Sequence, residues 1–259
     1  MSTNLTSIHP NAKIGKNVSI DSFTTIHEDV EIGDGTWIGS NVTIMNGARI
    51  GENCKIFPGS VISAIPQDLK FGGEDSIVTI GDNTTVRECV TINRATNYSG
   101  VTSVGKNCLI MAYVHIAHDC HIGDYAILVN SVQLGGHVEV GQHTIIGGIS
   151  AVHQFVKIGA YCMISGGSLV RKDVPPYIKV AKEPLTFIGI NAIGLKRKKF
   201  SEEKINEIQN MYRIIFQDSF NYTQATEKIK ADFEPSTERD SIISFINESD
   251  RGIIKGQKK

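Results

Sequence analysis

Six of the chain's 8 histidines, His115, His118, His121, His137, His143 and His153, crowd into one stretch of the sequence. Imidazole changes its protonation near neutral pH, so such a cluster suits proton transfer, and it suits metal ligation equally well. His118 is followed directly by Asp119. A carboxylate beside an imidazole can fix its tautomer and stabilise the imidazolium. An Asp at such a place can also bond its own turn. Charged partners for a polar substrate occur in Gln67–Glu74, which carries Asp68, Lys70 and Glu74, and in the basic run Lys196-Arg197-Lys198-Lys199. Of the 5 cysteines, none is well placed as a nucleophile that would carry a covalent intermediate.

The elements that must hold these groups are set by a repeat. Stepping by six from Ile8 to Val170, every position is Ile, Leu or Val except Asp68, Glu74 and Tyr98. Those exceptions fall in 63–79 and 93–103, which read as loops protruding from the array. A second column, four residues after each aliphatic, holds small residues such as Ala12, Val18, Thr24 and Thr36, and later Cys54, Cys108, Cys120 and Cys162. A period of six fits neither an amphipathic helix nor strand alternation. It fits a short strand plus a corner, with Gly and Asn supplying unusual backbone angles at the bend. Three units close a triangle, so residues 18 apart stack at the ~4.8 Å spacing of neighbouring strands. The expectation is a parallel β-helix prism about nine coils tall.

The register sorts the histidines. Units starting at Ile116, Leu134 and Val152 stack on one face, so His118, His137 and His153 are expected to form a ladder there. His115 and His121 are expected near corners and His143 on another face. The four cysteines of the small column read as core filling, with Cys89 outside it.

Composition narrows the classes further. The chain has 259 residues, 26 Lys and Arg against 27 Asp and Glu, and a formal net charge of −1, which argues against binding nucleic acid through bulk phosphate attraction. No apolar run approaches the ~18 residues of a membrane span, and the start of the chain does not resemble a secretory signal. The unpaired cysteine pattern points to the cytoplasm. Only 7% of residues are aromatic and 25 are glycine, consistent with a core of stacked aliphatics. After Asp173-Val174-Pro175-Pro176 the hexads stop. Helical spacing begins after Ser201, a plausible N-cap, with two further helices around 223–234 and 236–248. The domains are therefore expected at 1–184 (β-helix) and 185–259 (α-helical, covering the open end of the prism).

The hexads resemble those of the hexapeptide-repeat acyltransferases, which implies a left-handed coil. A narrower resemblance rests on His115-Ile116-Ala117-His118-Asp119-Cys120, Gln67-Asp68-Leu69-Lys70-Phe71-Gly72-Gly73-Glu74, Gly136-His137-Val138, Ala151-Val152-His153-Gln154-Phe155, Asp173-Val174-Pro175-Pro176-Tyr177 and Gly194-Leu195-Lys196-Arg197. In these segments, which span essentially the whole chain, it is similar to the UDP-N-acetylglucosamine O-acyltransferases of lipid A biosynthesis. That resemblance implies transfer of a 3-hydroxyacyl chain from acyl carrier protein to the 3-position of the sugar nucleotide, in a homotrimer without cofactor or catalytic metal. It makes His118 the general base, Asp119 its partner and Gly136 the oxyanion donor. It assigns Asp68, Lys70, His115, His137, His153, Gln154, Asn191 and Arg197 to substrate, and Gly166 to acyl length, where a glycine leaves room for a long chain. The chain departs from the family at Ile193, where an acidic residue is common. A 3-hydroxyl and a 3-amine acceptor both fit these residues. Zinc held by three histidines between prisms, as in γ-class carbonic anhydrases, is the competing chemistry.

Overall fold

Each hexad folds into a short strand followed by a corner, as at His115–Ile116 and His121–Ile122 with residues 117–120 between them. The computed structural model describes residues 5–217 and 220–256. Its strands form three sheets of nine, eight and ten strands, the three faces of a prism. Successive coils pair in parallel at a spacing of 18, for example Ile116 with Leu134 and Leu134 with Val152. The register survives two insertions: Ile62 pairs with Ile92 and Ile80 with Val104, and the extra residues loop out at 65–76 and 94–100. Beyond the exposed Ile8 of the first coil the aliphatic column turns inside, with Ile44, Ile62, Ile92, Ile116 and Ile146 at 0% exposure. Each such side chain stabilises the fold by about 1.5–3 kcal/mol relative to leaving it in water.

The small column does more than fill space. Thr24, Thr36, Thr84 and Thr144 donate through Oγ1 to the carbonyls of Gly39, Gly51, Gly105 and Gly159 on the following coil. Cys54, Cys108 and Cys120 do the same through Sγ to Gly81, Gly123 and Gly135. These inward polar atoms satisfy backbone carbonyls that the corners would otherwise bury without a partner. At most corners one residue takes a left-handed conformation, among them Asn41, Asn53, Asn107, Asp119 and His137. Asn and Asp tolerate this region through their short polar side chains.

Beyond the hexads an antiparallel hairpin, Ile178–Ala181 with Thr186–Ile190, extends the ten-stranded sheet. The 184/185 boundary expected between domains falls in its turn. Four helices follow: α1 (Ala192–Arg197), α2 (Glu202–Phe216), α3 (Tyr222–Asp232) and α4 (Thr237–Asn247). Ser201 caps α2 as expected, and α3 and α4 lie within two residues of their expected bounds. The hairpin and α1 carry no hexad or long helical period and were not foreseen. α2 buries Ile205, Ile208, Met211, Tyr212, Ile214 and Ile215. Its buried Tyr212 hydroxyl donates to the Pro176 carbonyl at 2.6 Å, and Phe187 of the hairpin stacks on Phe216 at 4.6 Å. The helical segment thereby covers the last coil of the prism.

Candidate active site

The edge between the nine- and eight-stranded faces gathers the ionisable groups. His118 and Asp119 form the corner of one coil, Gly136 and His137 that of the next, and Gln154 and Phe155 that of the third. His118 donates from Nδ1 to Asp119 Oδ2 at 2.7 Å. Because the carboxylate can only accept, the proton belongs on Nδ1 and the lone pair on Nε2. The Asp119 side chain is 0% exposed. Burial alone would raise its pKa; hydrogen bonds from Ser99, His118 and Thr96 outweigh that and hold it at about 2.

The three histidines of the expected ladder are staggered. His118 stacks in register with Gly136 and Gln154, His137 with Asp119 and Phe155, and His153 with Ala117 and Gly135, so each belongs to its own column. His137 takes the left-handed corner at φ 61° and lies flat on Phe155, with ring centroids 4.1 Å apart. It meets Tyr98 edge-on at 4.5 Å and His118 at 5.0 Å. Burial lowers its pKa, and its buried Nδ1 has no hydrogen-bond partner among the described residues, standing 3.9 Å from Asp119 Oδ2. His153 is exposed, and its Nδ1 lies 3.1 Å from an Arg251 nitrogen near the end of the chain. His115 and His121 lie on strands rather than corners, against the hydroxyls of Thr91 (2.7 Å) and Ser103 (2.9 Å). Burial lowers the pKa of His115.

Gly136 is buried directly over the His118 ring. A Cβ there would sit 2.6 Å from His118 Cε1 and 2.7 Å from Nε2. Its amide meets no acceptor among the described residues. At Asp119 and His137, the chain neighbours of His118 and Gly136, opens a cavity of about 380 Å³, also lined by Tyr98, His121, Phe155 and Arg251. The 65–76 loop carries Asp68, whose negative charge works against the effect of burial on His137. That loop is tied to the 94–100 loop by Glu74, which accepts from the amides of Gly72 (2.8 Å) and Asn97 (3.2 Å). Asp68 accepts from the Lys70 amide at 3.0 Å, leaving the Lys70 side chain exposed.

Three expected site residues lie elsewhere on the same chain. Asn191 caps α1 through Gly194 and donates to the Tyr161 carbonyl at 2.9 Å, at the edge between the eight- and ten-stranded faces. Arg197 ends that helix and is exposed, as is Ile193. Gly166 is on the third edge, where a Cβ would stand 3.1 Å from the Gly148 carbonyl oxygen. His143 is absorbed into a stack at the second edge, 4.6 Å from Tyr125 and 4.9 Å from Tyr161. Thr96, Tyr98, Ser99 and Arg251, which complete the His118 corner, were not foreseen. The first three sit on the 93–103 insertion, whose break in the hexad pattern was the available signal.

His118, Asp119 and His137 also offer ligand atoms within 4.8 Å of one another, a spacing a metal ion could use. Both Asp119 oxygens, however, already accept from Thr96 or Ser99, and His118 Nδ1 is a donor in the pair.

Comparison with known proteins agrees with this geometry. Hexapeptide-repeat models of bacterial transferases match 11–44, 29–64 and 102–136, and the second-domain model of UDP-N-acetylglucosamine O-acyltransferase matches 173–254. A relative from Xylella fastidiosa, an acyl-[acyl-carrier-protein]–UDP-N-acetylglucosamine O-acyltransferase, is 43% identical over 250 residues, 96% of this chain and 95% of its own. The UDP-N-acetylglucosamine acyltransferase structure from Bacteroides fragilis superposes with a TM-score of 0.95 at 47% identity, covering 98% of this chain and 100% of that one. The one from Francisella novicida gives 0.96 at 39% identity, covering 100% and 95%. The hand of the coil follows, and the prism is a left-handed β-helix. A chain matched along nearly its whole length in both sequence and fold, with the His118–Asp119 pair at its corner, belongs to the UDP-N-acetylglucosamine O-acyltransferase family.

Proposed function

We propose that this chain transfers a 3-hydroxyacyl group from acyl carrier protein to the 3-hydroxyl of UDP-N-acetylglucosamine, the first step of lipid A biosynthesis, with His118 as general base. The observation that carries this reading is the His118 imidazole, fixed through Nδ1 at 2.7 Å by the buried Asp119 carboxylate. The thioester donor is already electrophilic, while the sugar hydroxyl is a poor nucleophile. Nε2 takes the hydroxyl proton as the oxygen attacks the thioester carbon, a contribution worth roughly 10²–10⁴ in rate. Asp119 stabilises the imidazolium. The Gly136 amide serves the tetrahedral oxyanion. Collapse breaks the carbon–sulfur bond, and the departing thiolate receives the proton from the imidazolium. The ester forms without a covalent enzyme intermediate.

Asp68, Lys70, His115, His137, His153 and Gln154 bind substrate from this edge. Asn191, Arg197 and Gly166, on the other two edges, serve the clefts of neighbouring protomers in a homotrimer. Closed rings are the usual form of such assemblies. Among the described residues no helix is long and apolar enough to cross a membrane, and we place the enzyme in the cytoplasm. An assay with UDP-N-acetylglucosamine and a panel of 3-hydroxyacyl carrier-protein thioesters, read by product mass, is expected to give a 3-O-acyl sugar nucleotide with a preference for chains beyond ten carbons. No acylated product from any donor contradicts the activity. A preference for shorter donors contradicts the role of Gly166.

The His118, Asp119 and His137 spacing favours one other reading, a bound zinc. Elemental analysis of the purified enzyme decides it, because one tightly held zinc per protomer would replace the base mechanism.

A further inference from the structure

The Asp119 carboxylate is surrounded by donors from a loop that the hexad scaffold does not require. Oδ1 accepts from the amide of Thr96 (3.3 Å), the amide of Ser99 (3.1 Å) and the Ser99 hydroxyl. Oδ2 accepts from the Thr96 amide (3.2 Å), the Thr96 hydroxyl (2.8 Å) and His118 Nδ1 (2.7 Å). A carboxylate has about four lone-pair sites, so this set leaves no vacant direction. The Asp119 backbone is pinned as well, donating to Thr102 Oγ1 at 2.8 Å from a left-handed corner at φ 59°. The same loop places Tyr98 against His137 and, at 6.2 Å, against Phe155.

We propose that Thr96 and Ser99 are positioning residues for the acyl transfer, acting through Asp119 to hold the His118 imidazole in one tautomer and one orientation. This rests on the reading of His118 as the base. The physical reason is that a corner Asp on a surface coil would otherwise sample several rotamers. Two hydroxyls and two amides on one side leave the His118 ring as the partner on the other. The two hydroxyls also draw charge from the carboxylate and so limit how strongly it holds a proton on the imidazole. The ionisable groups facing the pair are His137 from the next coil, His115 from the adjoining strand, and Asp68 and His121, whose charges act on His137.

The test compares Ser99→Ala, Thr96→Val and the conservative Ser99→Thr by kcat, KM and the pH dependence of kcat/KM. Ser99→Ala and Thr96→Val are expected to lower kcat about tenfold with KM changed less than threefold, and to move the acidic limb of the profile to higher pH, since the carboxylate then holds the imidazolium proton more firmly. Ser99→Thr, which keeps the hydroxyl, is expected to restore both. In an Asp119→Asn background Ser99→Ala is expected to add little further loss. An unmoved acidic limb in Ser99→Ala, or losses that track the folded fraction and that Ser99→Thr does not restore, overturns the proposal. Failure of the base reading looks different: His118→Ala would remain active whatever the Ser99 variants do.

Discussion

At the scale of single residues, the corner depends on two features, a buried carboxylate and a missing Cβ. Asp119 is held at about 2 against an ordinary 3.8. A depressed carboxyl pKa stabilises the fold above the unfolded value, and the gain is lost as pH falls through the folded one. Wild type is therefore expected to exceed Asp119→Asn in stability by about 2 kcal/mol at pH 6, a gap that closes between about pH 4 and pH 2. Urea unfolding of both proteins across that range checks it, and a gap unchanged by acid contradicts it. Gly136→Ala would drive a methyl into His118 Cε1 and Nε2. It is expected to fold normally and to lose activity by a factor on the order of 10², as for a displaced general base. Full activity in that variant would show that the imidazole has room to move. The residue types at this corner were legible in the sequence, because histidines have no place in an aliphatic column. The stagger was not, because one residue of offset in a corner moves a side chain to a different column. Asp119 had two readings in the sequence; its carboxylate bonds the imidazole and the 94–100 loop rather than its own turn, which it serves only through a left-handed backbone.

At the scale of elements, the coil turns inward polar groups into backbone partners. Burial pushes the thiols of Cys108 to about 11 and of Cys120 and Cys162 to about 12, while Cys89 projects from a corner. Alkylation of the folded protein at pH 8 is accordingly expected to modify Cys89 and to spare the others until denaturant is added, which peptide mass mapping reads directly. Rapid labelling of Cys120 in the native state would contradict the inward placement. The prism was readable because a period of six with aliphatics at one phase has few physical solutions. The hairpin at 178–190 was hidden, since its strands alternate too briefly to stand out beside twenty-odd hexads. Corner geometry was only half visible: Asn41 and Asn107 announce a left-handed residue, whereas Tyr125, Ile149 and Phe155 adopt the same angles without any such signal.

At the scale of the whole molecule, the prism spreads the expected site residues over three edges. Only one edge of a single chain carries the His118–Asp119 pair, while Asn191 and Arg197 lie at the second and Gly166 at the third. If neighbouring protomers complete each cleft, then mixing unfolded His118→Ala and Arg197→Ala chains and refolding them together should recover part of the activity that neither variant shows alone. Additive, unrecovered activity would mean that each cleft is built by one chain. Beneath this lies the chemistry of one imidazole. The most direct measurement is the turnover of purified His118→Ala with UDP-N-acetylglucosamine and 3-hydroxyacyl carrier protein, alongside its circular dichroism and elution volume. An unchanged fold and assembly with kcat reduced by a factor on the order of 10² or more is the expected result. Near-normal turnover from the same well-folded protein would contradict it.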